Sequence, residues 1–231
     1  MRQVEGLTGR LVETAEAIDK FLGENDETWV RWIQKKRDSG IVVALVEVGD
    51  ILNDLVFSRM KSLVLTSATL TVDNRFDFIM SRLHIGASAQ SVALESSFDY
   101  NRQMVVLIPQ NGPGPNHPQY VKHLARSITS ILRKTHGKAF VLFTSYKTLN
   151  SVYDLVKNSL SADEFVVFRQ GDETRSRLME RFRGDIHSVL FGTESFWEGV
   201  DAPGQTLECV IITKLPFKVP TEPIIKARIE K

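Results

Sequence analysis

The 231-residue chain has a single cysteine. One thiol can form no internal disulfide, which removes the disulfide-stapled class of secreted domains. Cys209 lies in the apolar run Cys209-Val210-Ile211-Ile212, where a thiol behaves as a small hydrophobe. No apolar stretch approaches the ~20 residues of a membrane span. The polar start Met1-Arg2-Gln3-Val4-Glu5 lacks the apolar core of a signal peptide. No membrane partner is expected, and the cysteine usage fits a cytosolic setting. An excess of one charge is missing too: 29 basic and 28 acidic residues leave a formal net charge of +1. Bulk electrostatics then give no drive toward nucleic acid, so any such site has to come from local arrangement. Internal repeats and low-complexity segments are absent, and no G-x-x-x-x-G-K-[ST] loop exists to cradle a triphosphate.

What is present is a globular composition, with 42% hydrophobic and 25% charged residues. Val4, Leu7, Leu11, Ala15, Ile18 and Leu22 recur at helical spacing and predict an opening helix with one apolar face, ended by Gly23. Its packing partner is expected elsewhere, in sequence upstream of Met1. Residues 28–33 and 41–46 read as a strand hairpin. Residues 51–57 read as a short helix with Asp50 as cap. Ser62-Leu63-Val64-Leu65-Thr66 reads as a buried parallel strand, followed by a helix over 75–83. The stretch Gly112-Pro113-Gly114-Pro115-Asn116-His117-Pro118 is a loop. Beyond it, apolar helix faces alternate with strands at 139–143, 165–168, 188–191 and 209–212. That alternation predicts a parallel sheet with helices on both faces. A boundary is placed near Asp99-Tyr100, so an α/β sheet domain over 101–231 is preceded by a partial α/β segment over 1–100.

In an open parallel sheet, ligands sit at the carboxyl ends of the strands. Here those ends carry Ser67 and Thr69, then Thr144 and Ser145, then Gln170, then Thr193 and Ser195, with Glu198, Gly199 and Asp201 following. Hydroxyls and loop amides hold phosphate oxygens, and a carboxylate accepts bonds from a ribose. A nucleotide or a nucleic-acid backbone suits such an edge. Each residue also has a plain structural use: Ser and Thr after strands are common turn and N-cap residues. Trp197 is either packing or a surface on which a base stacks, and packing is the better reading for Phe196. Local basic groups, Lys35-Lys36-Arg37 and Arg175, Arg177, Arg181 and Arg183, read first as solvated faces and second as a DNA-tracking surface.

The motifs carry a family resemblance. Leu65-Thr66-Ser67-Ala68-Thr69-Leu70 resembles motif III of superfamily-two helicases. Val141-Leu142-Phe143-Thr144-Ser145-Tyr146 resembles motif IV of the DinG and XPD branch. Ser195-Phe196-Trp197-Glu198-Gly199-Val200-Asp201-Ala202-Pro203-Gly204 resembles the DinG form of motif V, and Leu215-Pro216-Phe217 with Pro220 and Pro223 resembles the segment after it. The motifs stand in the family's order.

The resemblance implies a RecA-like fold of the P-loop NTPase type. Residues 101–231 would be the second motor domain, and residues 1–100 the end of the first with the exit from its inserted arch. It implies that Ser67 and Thr69 couple ATP state to domain closure. Glu198, Gly199 and Asp201 would face the nucleotide. Thr144, Ser145, Gln170, Thr193, Ser195 and Trp197 would meet single-stranded DNA. ATP and Mg2+ would be held mainly by an upstream motor domain, since the chain has no phosphate loop, no D-E-A-H-type run and no Q-x-x-G-R-x-x-R arginine motif. This chain alone is then expected to have no ATPase activity, and no catalytic or metal-ligating residue is assigned within it. An iron–sulfur cluster, where family members have one, would lie outside it. The expected setting is the bacterial cytosol, in DNA repair or replication. Two other readings stay open: a non-enzymatic nucleic-acid-binding module, and an unrelated nucleotide-binding α/β domain. The lack of any G-x-G-x-x-G after a strand counts against the latter.

Overall fold

A computed structural model describes residues 2–23, 27–35, 39–86, 88–160, 165–202, 204–217 and 220–231. Lys36, Arg37 and Pro203 lie outside the described residues, as do the side chains of Val4 and Leu7. The chain divides into two units, Met1–Met104 with Lys218–Lys231, and Val105–Phe217.

The first unit begins with α1 (Arg2–Leu22). Leu11, Val12, Ile18 and Leu22 are exposed along it. The hairpin follows as β1 (Trp29–Lys35) and β2 (Ser39–Leu45), antiparallel with Trp29 opposite Leu45 and Trp32 opposite Val42. Such aromatic–aliphatic cross-strand pairs suit a half-buried ribbon. Next come α2 (Gly49–Leu55), α3 (Asp77–Leu83) and the single-turn α4 (Tyr100–Gln103). Asp50 is not the cap of α2. That helix starts at Gly49, two residues earlier than expected, behind Val48 and without a side-chain cap. The Asp50 carboxylate instead bonds His84 Nδ1 at 2.5 Å. The last helix returns to this unit, and its Arg228 Nε donates to the Val46 carbonyl at 3.0 Å.

The expected strand at 62–66 does not form. Leu63, Val64 and Leu65 are exposed, and the segment has no ladder partner among the described residues. A parallel strand exists only as one member of a sheet, so an apolar run without a neighbour stays extended and wet. Val105, Leu107 and Ile108 are in the same condition.

The second unit is built on α5 (Tyr120–Thr135), β3 (Ala139–Leu142), α6 (Tyr146–Ser159), β4 (Val167–Arg169), α7 (Arg175–Gly184), β5 (Val189–Gly192) and β6 (Cys209–Ile212). The strands are all parallel in the order β4-β5-β3-β6. This is the α/β sheet covered on both faces that the sequence predicts. From β3 the chain crosses over β5 to reach β4, then steps back to β5. Right-handed crossovers in opposite directions put α6 and α7 on opposite faces. Alternation along β3 serves both: Ala139, Val141 and Phe143 join the α5/α6 core, while Phe140 and Leu142 join the α7 core with Phe182 and Leu190. Phe140 and Phe182 meet at 4.7 Å between ring centroids. Near-continuous burial along β3 and β5 is what two covered faces require.

Cys209 is half-buried at the start of β6, and burial pushes its thiol above the usual range. Less thiolate is then present at neutral pH. Ellman's reagent should react with Cys209 in the native chain about tenfold more slowly than with free cysteine, and at the free rate in 8 M urea. A native rate equal to that of free cysteine would contradict this burial.

Candidate nucleotide and nucleic-acid edge

The carboxyl ends of β3, β4 and β5 bring three of the predicted residues, Gln170, Thr193 and Ser195, into one arrangement with Tyr146. Gln170 follows β4 and stands at its centre. Its amide nitrogen donates to Tyr146 Oη at 2.6 Å and to Ser195 Oγ at 2.9 Å. Its amide oxygen accepts from the Thr193 backbone N–H at 2.6 Å and from Thr193 Oγ1 at 3.0 Å. Thr193 is buried, so this acceptor replaces water that cannot reach it. One side chain thus joins the first residue of α6 to the turn after β5.

Ser145 closes the neighbouring strand end in a different way. It is the N-cap of α6, with Oγ accepting from Thr148 N at 3.2 Å and lying 2.9 Å from Thr148 Oγ1. Its hydroxyl therefore satisfies a helix-terminal donor. Thr144 beside it is exposed.

The loop after β5 is held from below and from the side. Phe196 is 2% exposed and packs in the α7 core. Trp197 is half-buried against the same core, and its indole N–H donates to the Phe143 carbonyl at 3.3 Å. Gly192 makes the descent of Phe196 possible. A Cβ there would stand 2.9 Å from the Cβ and Cγ of Phe196.

Two arginines of α7 fix the rest of the loop through its backbone. Arg175 Nη2 donates to the carbonyls of Glu198 at 3.1 Å and Gly199 at 2.8 Å. Arg183 Nε donates to the Asp201 carbonyl at 2.9 Å. Gly199 has φ +64°, a left-handed turn that glycine adopts without cost. With their carbonyls held, Glu198, Gly199 and Asp201 stand exposed at the edge. Of the other arginines, Arg177 pairs with Glu180 at 2.8 Å and Arg181 pairs with Glu173. The α7 arginines are thus engaged within the unit and are not simply a solvated face. Sequence reasoning missed Arg175, Arg183, Tyr146 and Gly192 as parts of this edge. Backbone carbonyls leave no residue-type signal, so only the motif spacing around them was visible.

Ser67 and Thr69 lie in the first unit, on an exposed turn. Their hydroxyls are 3.1 Å apart, and Thr69 N donates to Ser67 Oγ at 3.2 Å.

A parallel sheet whose strand ends carry these loops is the form of a RecA-like helicase domain, and residues 128–231 match the family model described as "Helicase C-terminal domain". The chain is 35% identical over 221 residues to the 3'-5' exonuclease DinG of Bacillus subtilis, covering 91% of this chain and 24% of that protein. It is 36% identical over 185 residues to the ATP-dependent DNA helicase YoaA of Escherichia coli, covering 80% and 28% respectively. It is 34% identical over 210 residues to the ATP-dependent DNA helicase DinG of Photobacterium profundum, covering 87% and 30%. The chain is similar to the C-terminal region of DinG-like helicases. It spans between 24% and 30% of the length of these relatives.

Proposed function

We propose that the chain is part of the motor of an ATP-dependent DNA helicase that moves along single-stranded DNA and separates duplex strands, in DNA repair or replication. In this reading residues 101–231 form the second RecA-like motor domain, and residues 1–100 the end of the first with the arch exit. Ser67 and Thr69 couple ATP state to closure of the motor. The remainder of the first motor domain, in the same longer chain, is the partner that completes the ATP site. The protein works in the bacterial cytosol; among the described residues no helix is long and apolar enough to cross a membrane.

The observation that carries the reading is the loop 198–201, with its carbonyls taken by Arg175 and Arg183 and its outer groups exposed. Carboxylates of Glu198 and Asp201 suit ribose hydroxyls, and a glycine between them allows close approach. These groups do not suit phosphates, which need cations and aimed N–H donors. The triphosphate and Mg2+ are therefore held mainly by the upstream domain. Of the six residues expected to meet DNA, Thr144, Ser145 and Ser195 are exposed on the same edge, and the buried Thr193 supports it from beneath. Gln170 acts through them, by fixing Thr193 and Ser195 against Tyr146. An iron–sulfur cluster does not fit this chain, whose single thiol is the half-buried Cys209, and belongs to the longer protein if anywhere.

ATP turnover tests the reading. The longer protein should show ATPase activity stimulated by single-stranded DNA, whereas residues 1–231 alone should show none. Asp201→Ala in the longer protein should cut ATP-dependent unwinding by about tenfold or more, with an unchanged melting profile. Substantial turnover by residues 1–231 would overturn the division of the ATP site. A longer protein that binds DNA but has no ATPase would favour the non-enzymatic module.

A further inference from the structure

The outer face of α5 carries no acidic residue, yet it holds Lys122, His123, Arg126, Arg133 and Lys134. In a chain of net charge +1 this is a strong local segregation. Lys122, Arg126, Ser130 and Lys134 follow one another every fourth residue, along a single ridge of the helix. The ridge extends for roughly 18 Å at 1.5 Å per residue. It lines a groove of about 700 Å³ whose other wall is Leu155 and Ser159 of α6. A second hollow of about 280 Å³ shares Lys122 and Arg126 and continues to Gln119, His123 and Pro113. Neither lining contains a carboxylate, and the larger groove has no aromatic ring.

The cations along the ridge are not used up by the fold. Lys122, Arg126 and Lys134 have no ion-pair partner among the described residues, in contrast to the paired arginines of α7. Arg133 is different: its Nη2 donates to the Ser159 carbonyl at 2.9 Å, which fastens the ends of α5 and α6 together. It shapes the groove. The ligand-facing charge is that of the other three.

We infer that this groove is a binding site for the phosphate backbone of a single DNA strand, separate from the edge at the strand ends. Spaced cations with a serine hydroxyl among them match a row of phosphates. The groove lies between two neighbouring helices and admits one strand's backbone. The larger groove has no aromatic ring on which a base could stack, so binding there is indifferent to sequence. The inference rests on the reading of the chain as part of a DNA-acting protein, and it adds a tracking surface on the α5/α6 face.

The test is fluorescence anisotropy of labelled dT20 with the 231-residue chain across a salt series. The variant Lys122→Ala/Arg126→Ala/Lys134→Ala is compared with Arg10→Ala/Arg59→Ala/Lys61→Ala, which loses the same charge in the other unit. The ridge variant should raise Kd about tenfold in 50 mM salt and flatten the log–log salt slope by about 2. The control should change Kd less than about twofold. Wild-type binding by the ridge variant, or equal weakening by the control, overturns the site while leaving DNA binding at the sheet edge intact. A wild-type chain that does not bind dT20 removes both. Poly-glutamate bound as tightly as dT20 would reassign the groove to an acidic protein segment and overturn the DNA assignment.

Discussion

Gly192→Ala should destabilise the parallel-sheet unit by about 2–3 kcal/mol, the upper part of the range for forcing extra volume into a packed core. The cause is not backbone freedom. The added methyl would lie 2.9 Å from three side-chain atoms of Phe196, two of which are its Cβ and Cγ, not the movable rim of the ring. Phe196 is buried in the α7 core beside Phe140, so it has nowhere to retreat. Either the ring leaves the core or the turn Glu194–Phe196 lifts from the end of β5. The melting temperature of the unit should fall by roughly 10–20 °C. The double variant Gly192→Ala/Phe196→Ala separates this cause from others. With the ring gone, alanine at 192 should add less than about 0.5 kcal/mol to the cost of Phe196→Ala alone. Additive costs in urea titrations would show that Gly192 matters for another reason.

Gln170→Ala should cost about 2 kcal/mol and loosen the same edge from the other side. Four hydrogen bonds end on this amide. Those to Tyr146 and Ser195 are near water, which can replace them. Those from Thr193 are not, since Thr193 is 6% exposed and would keep an unpaired buried N–H. Gln170→Glu retains acceptor oxygens for Thr193, and the Tyr146 and Ser195 hydroxyls can turn to donate to it. It should recover most of the lost stability. If Gln170 positions the exposed Ser195 hydroxyl toward DNA, Gln170→Ala should also weaken dT20 binding about tenfold under conditions where the unit is fully folded, and Gln170→Glu should restore part of it. A stability loss without any change in dT20 binding would confine Gln170 to the fold.

These predictions use contacts of unequal legibility. The α/β alternation beyond residue 120 was open to sequence reading because helix and strand periods are local. The spacing of Leu149, Val152 and Val156 announces α6, and the short apolar run 139–143 announces β3. Motif V was legible for the same reason, as a contiguous run of unusual residues. The strand expected at 62–66 was not legible as it stands. Its pattern is that of a strand, but a strand needs a neighbour, and no described segment pairs with it. Asp50 misled in a smaller way, because a carboxylate before a helix suits a cap as well as it suits a histidine 34 residues on.

Sequence by itself determined the order of elements, the two-faced parallel sheet and the likeness to helicases, since periodicity and motif runs are written along the chain. Tertiary structure alone decided how the edge is assembled. Gln170 gathers hydroxyls from separate strand ends, Arg175 and Arg183 reach carbonyls that every residue possesses, and Gly192 is needed because of a ring that lands on it. The physical reason is common to all of them. Such contacts depend on distances between segments remote in sequence, and on backbone atoms that carry no residue identity.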